Sequence, residues 1–198
     1  MVITLYDSDN PDSIPDGVAA AGYCDGYAAA AWNARGWQRF PHALRIAVFA
    51  TTNDGDVGDV ERGDMLPWEL PDWIQMRRAA GHPNPWGYVN LSNWGPTKTE
   101  FELRGIPEPP WWVADYDGIP VLMPGAIAKQ YANQTIIPGN PGYLQALALR
   151  KADQEVEGAR RDAADGASDE CRLECARHLP LLLCAAGPGD TTAHRAGE

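Results

Sequence analysis

The sequence has no stripe of basic residues and no long hydrophobic run. Its 198 residues include 16 Lys and Arg against 27 Asp and Glu, which gives a net charge of -11. Because attraction to phosphates supplies most of the affinity of nucleic-acid-binding proteins, this balance argues against a nucleic-acid partner. The longest apolar run near the C-terminus, residues 179–186, is too short to span a bilayer. We therefore expect neither nucleic acid nor a membrane among the partners.

Signals for export, disulfide bonding and metal binding are also weak. Residues 1–5 lack the basic start and apolar core of a signal peptide. Four cysteines in a chain of this size do not indicate a disulfide framework. Residues of zinc-ligand type lie near the C-terminus without paired Cys-x-x-Cys spacing: Cys171, Cys175, His178 and Cys184. We predict no metal, no other cofactor, and a chain that stays in the cytoplasm until lysis or is carried in a particle.

Seventeen prolines and twenty glycines divide the chain into short elements. Apolar segments predict strands over residues 2–6, 43–51, 86–91, 111–115 and 127–132, and residues 18–23 fit a strand or a helix. Helical segments are predicted over residues 28–40, 71–80 and 97–104. Strands that alternate with helical segments and loops favour a parallel α/β sheet.

One segment concentrates carboxylates. Residues 56–64 contain Asp56, Asp59, Glu61 and Asp64. Asp59 and Glu61 are two positions apart, so on a strand both side chains point to the same side. Like charges on one face raise the pKa of at least one carboxyl group, which is how a protein obtains a proton donor near neutral pH. A solvated acidic loop is the alternative that the spacing leaves open.

Polar residues recur where the predicted strands end. They are Asp7, Asp59, Glu61, Asn90, Asp115, Asp117 and Gln130. In parallel α/β folds ligands bind at the carboxyl ends of the strands, and in a (β/α) barrel the active site is there. The sequence therefore predicts a site at this edge.

Taken in order, these segments resemble the family 25 glycoside hydrolases, the lysozyme-type muramidases, and especially the shorter barrel domains of actinobacteria and their phages. The matching pieces are Tyr6-Asp7, residues 58–61, 71–73, 77–81 and 86–90 with Trp94, and residues 111–118 and 128–131. The resemblance covers roughly residues 1–137 and implies an α/β fold, a compact or incomplete (β/α) barrel of the TIM type. Because the composition shifts near residue 150, we expect a barrel over residues 1–149 and a helical, partly flexible C-terminal extension over residues 150–198.

The resemblance also implies catalytic roles. Glu61 would be the general acid on the glycosidic oxygen. Asp59 would tune that acid or stabilise the oxocarbenium-like transition state, and Asp7 would lie on the opposite strand end. Carboxyl groups about 5 Å apart favour a retaining covalent route and a wider gap favours an inverting one. Attack by an N-acetyl group of the substrate is a third route.

A substrate-binding set follows from the same resemblance. Tyr88, Trp94 and Tyr116 are expected to stack on sugar rings, and Asn90 and Gln130 to hydrogen-bond hydroxyl groups. Asp115 and Asp117 complete the set.

The sequence departs from the family in two ways. Family members close the barrel with an eighth strand that carries an Asp-Leu-Asn or Asp-Leu-Ser signature, whereas residues 142–149 contain no Asp. The chain is also short against the ~250 residues of a typical barrel, so some crossovers must be loops.

Two functions remain as hypotheses. The first is a glycoside-hydrolase-like domain, an enzyme of the lysozyme type, that acts on or binds bacterial cell-wall polysaccharide (peptidoglycan). The second is a catalytically inactive virion protein that keeps the barrel as a scaffold in a capsid or tail. The partner is cell-wall glycan in the first case and other virion proteins, bound through the C-terminal tail, in the second. Either places the chain in a virion or in the host cytoplasm before lysis.

Overall fold

Eight strands form a closed barrel in chain order in the structure, a computed structural model that describes residues 2–135 and 144–150. The strands are β1 (Val2–Asp7), β2 (Ala19–Tyr23), β3 (Leu44–Ala47), β4 (Val57–Val60), β5 (Trp86–Asn90), β6 (Trp111–Ala114), β7 (Ala128–Thr135) and β8 (Leu144–Arg150). The α-helices are α1 (Ala34–Arg39), α2 (Leu70–Ala79) and α3 (Leu91–Arg104), and 3-10 turns cover Pro11–Ser13 and Ala28–Ala30.

The first seven strands are parallel, and the eighth reverses direction. β8 pairs antiparallel with both β7 and β1, from Val2 opposite Arg150 to Asp7 opposite Gln145. The predicted compact α/β barrel is therefore confirmed, and it is closed rather than incomplete. The predicted C-terminal extension and its Cys and His residues lie outside the described residues.

Short crossovers explain how so few residues close a barrel. Residues 48–56 connect β3 to β4 and residues 115–127 connect β6 to β7, each without a helix. Between β1 and β2 the chain forms only a 3-10 turn. This confirms that some crossovers are loops. Within the part of the chain that the structure describes, no helix has the length and apolar character needed to cross a membrane.

Local contacts account for the differences between predicted and observed elements. β3 ends at Ala47, earlier than predicted, and the next two backbone N–H groups donate to the carboxylate of Asp25. α3 begins at Leu91, before rather than after Pro96, because the side chain of Asn90 caps it by accepting the N–H of Asn93. The predicted helix over residues 28–40 is divided into a 3-10 turn and the short α1.

Apolar side chains pack both inside and outside the barrel. The interior cluster includes Leu5, Ala21, Leu44, Ile46, Val57, Trp86, Trp112, Ala128 and Leu149. Outside, α2 and α3 cover β4 to β6 through residues such as Leu70, Trp73, Phe101, Trp111 and Val113. Gly58 lets α2 approach closely, since a Cβ there would lie 2.6 Å from Cδ1 of Leu70. On β4, therefore, Gly58 faces outward and the flanking positions face inward.

Candidate active site

Because side chains alternate along a strand, polar side chains at the C-terminal ends of several strands point into the barrel. Two residues beyond an inward-facing apolar residue, the next side chain points inward again. Asp7 follows Leu5 in this way, and Asp59 follows Val57. Tyr88 follows Trp86, and Gln130 follows Ala128. Alternation thus places Asp7, Asp59, Tyr88 and Gln130 around the C-terminal mouth of the barrel. Asp7, Asp59 and Gln130 belong to the predicted set of strand-end residues, and Tyr88 does not.

Three carboxylates are gathered at the end of β4. One oxygen each of Asp59, Glu61 and Asp64 lies within 4.8 Å of the others. Asp59 is 4% exposed, whereas Glu61 and Asp64 are half-buried. Oxygen atoms in such a group are also the ligands that hard divalent cations take. Acidic groups of this kind are common without an ion, and we assign no metal to this one.

Two of the carboxyl groups are buried without a hydrogen-bond partner on one oxygen. Asp7 is 2% exposed, and Oδ1 of Asp7 and Oδ1 of Asp59 each lack a partner. A polar atom buried in this way carries a desolvation penalty of roughly 1–3 kcal/mol. These oxygens are thus available to a ligand or a proton.

Burial and like charge both act on the protonation of these groups. Burial raises the pKa of Asp59 well above its ordinary value, and the charges of Glu61, Asp64 and Asp7 raise it further. Burial also raises the pKa of Asp7, against a backbone hydrogen bond that lowers it, and Glu61 and Asp9 add to the increase. Asp59 and Asp7 therefore keep a proton to higher pH than exposed aspartates, as the close spacing of Asp59 and Glu61 predicts.

Tyr88 lies directly beside the carboxylates. Its hydroxyl donates a hydrogen bond of 2.8 Å to Oε1 of Glu61, and it lies 3.4 Å from the hydroxyl of Tyr116. Its ring meets Trp112 edge to face, with 5.1 Å between centroids and 84° between planes. Burial, together with the charges of Asp59 and Glu61, raises the pKa of Tyr88 well above its ordinary value. The hydroxyl is therefore a donor throughout the physiological pH range.

Gln130 is a further polar group inside the barrel without a hydrogen-bond partner. It is fully buried, and neither its amide nitrogen nor its amide oxygen has a hydrogen bond. Buried side-chain amides are normally satisfied, so this group is suited to a ligand that both donates and accepts.

The structure separates Asp115 and Asp117 from this interior layer. Nζ of Lys129 lies 3.3 Å from Asp115 and 2.6 Å from Asp117, and the hydrogen bond from Lys129 lowers the pKa of Asp117. Lys129 alternates with the inward-facing Gln130, so this ion-paired group lies on the outer side of β7. The substrate-binding role of Asp115 and Asp117 stays a prediction, and their observed partner is a lysine.

Asn90 and Trp94 also have structural partners. The Oδ1 atom of Asn90 accepts hydrogen bonds from the N–H of Asn93 and the hydroxyl of Ser92, which caps α3. Trp94 packs against the outer apolar cluster, with Nζ of Lys98 5.5 Å from its ring centroid. Contacts with sugar remain predictions for both residues. Tyr116, by contrast, reaches Tyr88 and joins the mouth.

Sequence reasoning missed Tyr23 and Asp64 as members of the site. Burial raises the pKa of Tyr23, with further increases from Asp7, Asp59, Glu61 and Asp64, so its hydroxyl lies near all four carboxylates. The signal was its position two residues beyond Ala21 on the same strand face. Asp64 was counted as acidic but was given no role.

The mouth also has an apolar rim that the sequence did not reveal. Among the described residues, every large exposed apolar side chain except Leu103 follows the C-terminal end of a strand from β2 to β6. They are Tyr27, Phe49, Leu66, Trp68, Leu91, Tyr116, Ile119 and Val121. Exposed apolar side chains concentrated at one end of a barrel are typical of a binding surface.

Comparison with known proteins places the fold. No family model and no curated protein matches the sequence. Among solved structures, the catalytic domain of the endolysin Ply40 from bacteriophage P40 of Listeria monocytogenes is similar, with a TM-score of 0.52 and 14% identity over 80% of this chain and 98% of that chain. The CTP1L endolysin is similar with a TM-score of 0.50 and 12% identity over 79% of this chain and 69% of that chain. The barrel fold is thus one that endolysins also have.

Proposed function

We propose that the barrel is a glycoside hydrolase that cleaves glycosidic bonds in bacterial cell-wall peptidoglycan, in the manner of the family 25 muramidases. One observation carries the proposal. Asp7 and Asp59 are buried carboxyl groups with an unpartnered oxygen, and they lie beside Glu61 at the C-terminal mouth of the barrel. The shared fold with phage endolysins and the ordered residue resemblance support a cell-wall substrate.

Glu61 is the group that meets the glycosidic oxygen. It is half-buried, and so its carboxyl can face both the interior and a ligand in the mouth. As the glycosidic bond breaks, Glu61 donates a proton to the departing oxygen, and the leaving sugar departs as a neutral alcohol. Asp59 lies within 4.8 Å and supports the positive charge that develops on the sugar ring.

The short carboxyl separation favours retention of the anomeric configuration. Inverting enzymes keep their carboxyl groups about 6.5–9.5 Å apart to leave room for a water molecule. One oxygen of Asp59 and one oxygen of Glu61 lie within 4.8 Å of each other, which is nearer to the roughly 5–5.5 Å of retaining enzymes. The intermediate then forms with a carboxylate or with the N-acetyl oxygen of the substrate. Proton NMR of the first product anomer tests this, and an inverted product contradicts it.

The mouth suits an extended polysaccharide. Exposed aromatic side chains on the rim, such as Phe49, Trp68 and Tyr116, offer flat faces for sugar rings. Gln130 offers both a donor and an acceptor to the amide or hydroxyl groups of an amino sugar. No described residue favours an inactive virion scaffold, and we propose no such role.

The test compares wild type with Glu61→Gln in turbidity assays on purified peptidoglycan of mycobacterial and other Gram-positive types. Loss of a general acid lowers the rate by about 100-fold or more. Glu102→Gln is the matched control, because Glu102 is exposed on α3 and the same charge is removed there. We expect Glu102→Gln to lyse at the wild-type rate. Equal background traces for wild type and Glu61→Gln on every substrate would refute the proposal.

A further inference from the structure

The hydroxyl of Tyr88 connects the rim of the barrel to Glu61. Its oxygen lies 2.8 Å from Oε1 of Glu61 and 3.4 Å from the hydroxyl of Tyr116. A tyrosine hydroxyl has one proton, so it donates one hydrogen bond at a time. The shorter contact assigns that proton to Glu61, and Tyr116 then donates to the oxygen of Tyr88. The three side chains form two hydrogen bonds in series that end on the carboxylate.

This series runs from solvent into the barrel. Tyr116 is 47% exposed on the segment after β6, whereas Tyr88 is 5% exposed on β5. Trp112 holds the ring of Tyr88 in place through its edge-to-face contact. Tyr88 is therefore a buried donor whose position is set by packing, and Tyr116 is the member that a ligand reaches first.

We infer that Tyr88 is a positioning residue for Glu61, with Tyr116 as its outer anchor. The inference rests on the proposed role of Glu61 as general acid. By holding Oε1, Tyr88 fixes the orientation of the carboxyl group and leaves Oε2 for the glycosidic oxygen. A hydrogen bond donated to a carboxylate also favours its ionised form. Tyr88 thus acts through Glu61, which differs from the sugar stacking that the sequence predicted for it.

Other ionisable groups lie on the elements packed around Glu61. They are Asp7 of β1, Tyr23 of β2, Asp59 of β4, Asp64 after β4 and Tyr116 after β6, and Asp25 adds its charge near Asp59 and Asp64. Tyr88→Phe replaces none of these groups. A change in pH dependence in that variant therefore comes from the lost hydroxyl.

The experiment measures kcat and KM against pH on soluble peptidoglycan fragments. Tyr88→Phe is expected to lower kcat about tenfold with little change in KM, the effect of losing one hydrogen bond to a charged group. The basic limb of its profile moves to higher pH, because the ionised carboxylate loses a donor. Tyr116→Phe moves the same limb in the same direction by less, since it weakens only the outer hydrogen bond.

Tyr23→Phe is the matched control. Tyr23 lies near the same carboxylates, but burial raises its pKa well above the ordinary value, so it stays neutral. It has no hydrogen bond to Glu61, and its removal therefore leaves the basic limb where it is in wild type. An unchanged limb in Tyr88→Phe overturns the inference, and so does an equal shift in Tyr23→Phe. Should Tyr88→Phe fail to fold by near-ultraviolet circular dichroism, the limb of Tyr116→Phe decides by the same criteria.

A second measurement separates this inference from the proposed function. If wild type does not lyse any peptidoglycan, the proposed function fails, but the hydrogen bond can still be examined by carbon NMR. The side-chain carboxyl resonance of Glu61 is expected to change its chemical shift in Tyr88→Phe and to keep it in Tyr23→Phe, because only Tyr88 donates a hydrogen bond to that carboxylate. Coincident resonances in wild type and Tyr88→Phe contradict the positioning role.

Discussion

Asp56 and Asp59 stand at the two ends of β4 and are almost equally buried, at 5% and 4% exposed. At the end away from the mouth, Oδ2 of Asp56 accepts the N–H of Arg45, and Oδ1 lies 3.0 Å from Nε2 of His82. At the mouth, Oδ1 of Asp59 has no partner and its neighbouring charges are acidic. The carboxylate of Asp56 therefore has hydrogen-bond partners on both oxygens, whereas Oδ1 of Asp59 has none.

This difference distinguishes a buried carboxylate that stabilises the fold from one that serves function. A buried carboxylate that accepts hydrogen bonds helps to hold neighbouring segments together, whereas one without them lowers stability. A chain that keeps an unpartnered carboxyl group in its interior gives up stability at that position. Unsatisfied and perturbed groups of this kind cluster at functional sites. Substitutions at the two ends of β4 test this contrast.

The largest expected effect is on lysis. Asp59→Asn is expected to reduce the rate of peptidoglycan lysis by about 100-fold or more, in the range for loss of a group that stabilises charge in the transition state. Asp56→Asn is expected to keep the wild-type rate per folded molecule, because Asp56 lies at the other end of the strand. Turbidity assays normalised to the folded fraction at low temperature make the comparison. Equal losses in the two variants would remove the functional distinction between the two ends.

The next effect is on stability, and here the substitution of Asp56 is expected to be the harmful one. Asp56→Ala leaves the N–H of Arg45 without its carboxylate acceptor, and it removes the contact between Asp56 and His82. We expect the free energy of unfolding to fall by about 1–3 kcal/mol. Urea denaturation monitored by tryptophan fluorescence measures it. A midpoint unchanged from wild type would show that these contacts contribute nothing.

A smaller effect depends on pH. The pKa of Asp59 is raised in the folded state, so the folded protein is more stable when Asp59 is protonated than when it is ionised. This stabilisation is complete below the unfolded-state pKa of about 3.9 and is lost as pH rises through the folded-state pKa. Asparagine carries no charge at any pH. The melting temperature of Asp59→Asn is therefore expected to equal that of wild type near pH 3.5 and to exceed it by a few degrees at neutral pH. Calorimetry across this range measures the difference, and one that does not grow with pH contradicts the assignment.

The smallest effect concerns an exposed aspartate just before the same strand. The side chain of Asp54 is 50% exposed and lies 2.6 Å from a guanidinium nitrogen of Arg45. Exposed ion pairs typically contribute about 0.2–1 kcal/mol and weaken with salt. Asp54→Asn is expected to lower stability within that range, less in 1 M NaCl. A loss of stability as large as that in Asp56→Ala would mean that burial does not determine how much each aspartate stabilises the protein.

Part of the site followed from sequence spacing. Asp59 and Glu61 lie together, as their two-residue separation predicted, although β4 ends at Val60 and Glu61 is the first residue beyond it. The gathering of Asp7, Asp59 and Gln130 follows from parallel strands ending at one edge. The compact barrel could also be predicted, as could loops in place of helical crossovers.

Other features lack a local signal. Every residue of β6 is buried, so its sequence does not show which side chains face inward, and Asp115 could not be assigned to the outer side. Pro96 suggested a helix start, and the cap at Asn90 overrode it. The reversed direction of β8 depends on pairing with β7 and β1, and not on its own residues. Partners such as Lys129 for Asp117 depend on tertiary geometry.

The edge-to-face contact between Tyr88 and Trp112 gives the mouth a natural optical probe. Trp112 is an intrinsic fluorophore, 1% exposed, that touches the ring whose hydroxyl holds Glu61. A sugar that enters the mouth and expels water changes the polarity around this pair. The emission of the unlabelled protein then reports occupancy before any bond is cleaved. Subtracting the signal of Trp112→Phe isolates that contribution from the other tryptophans.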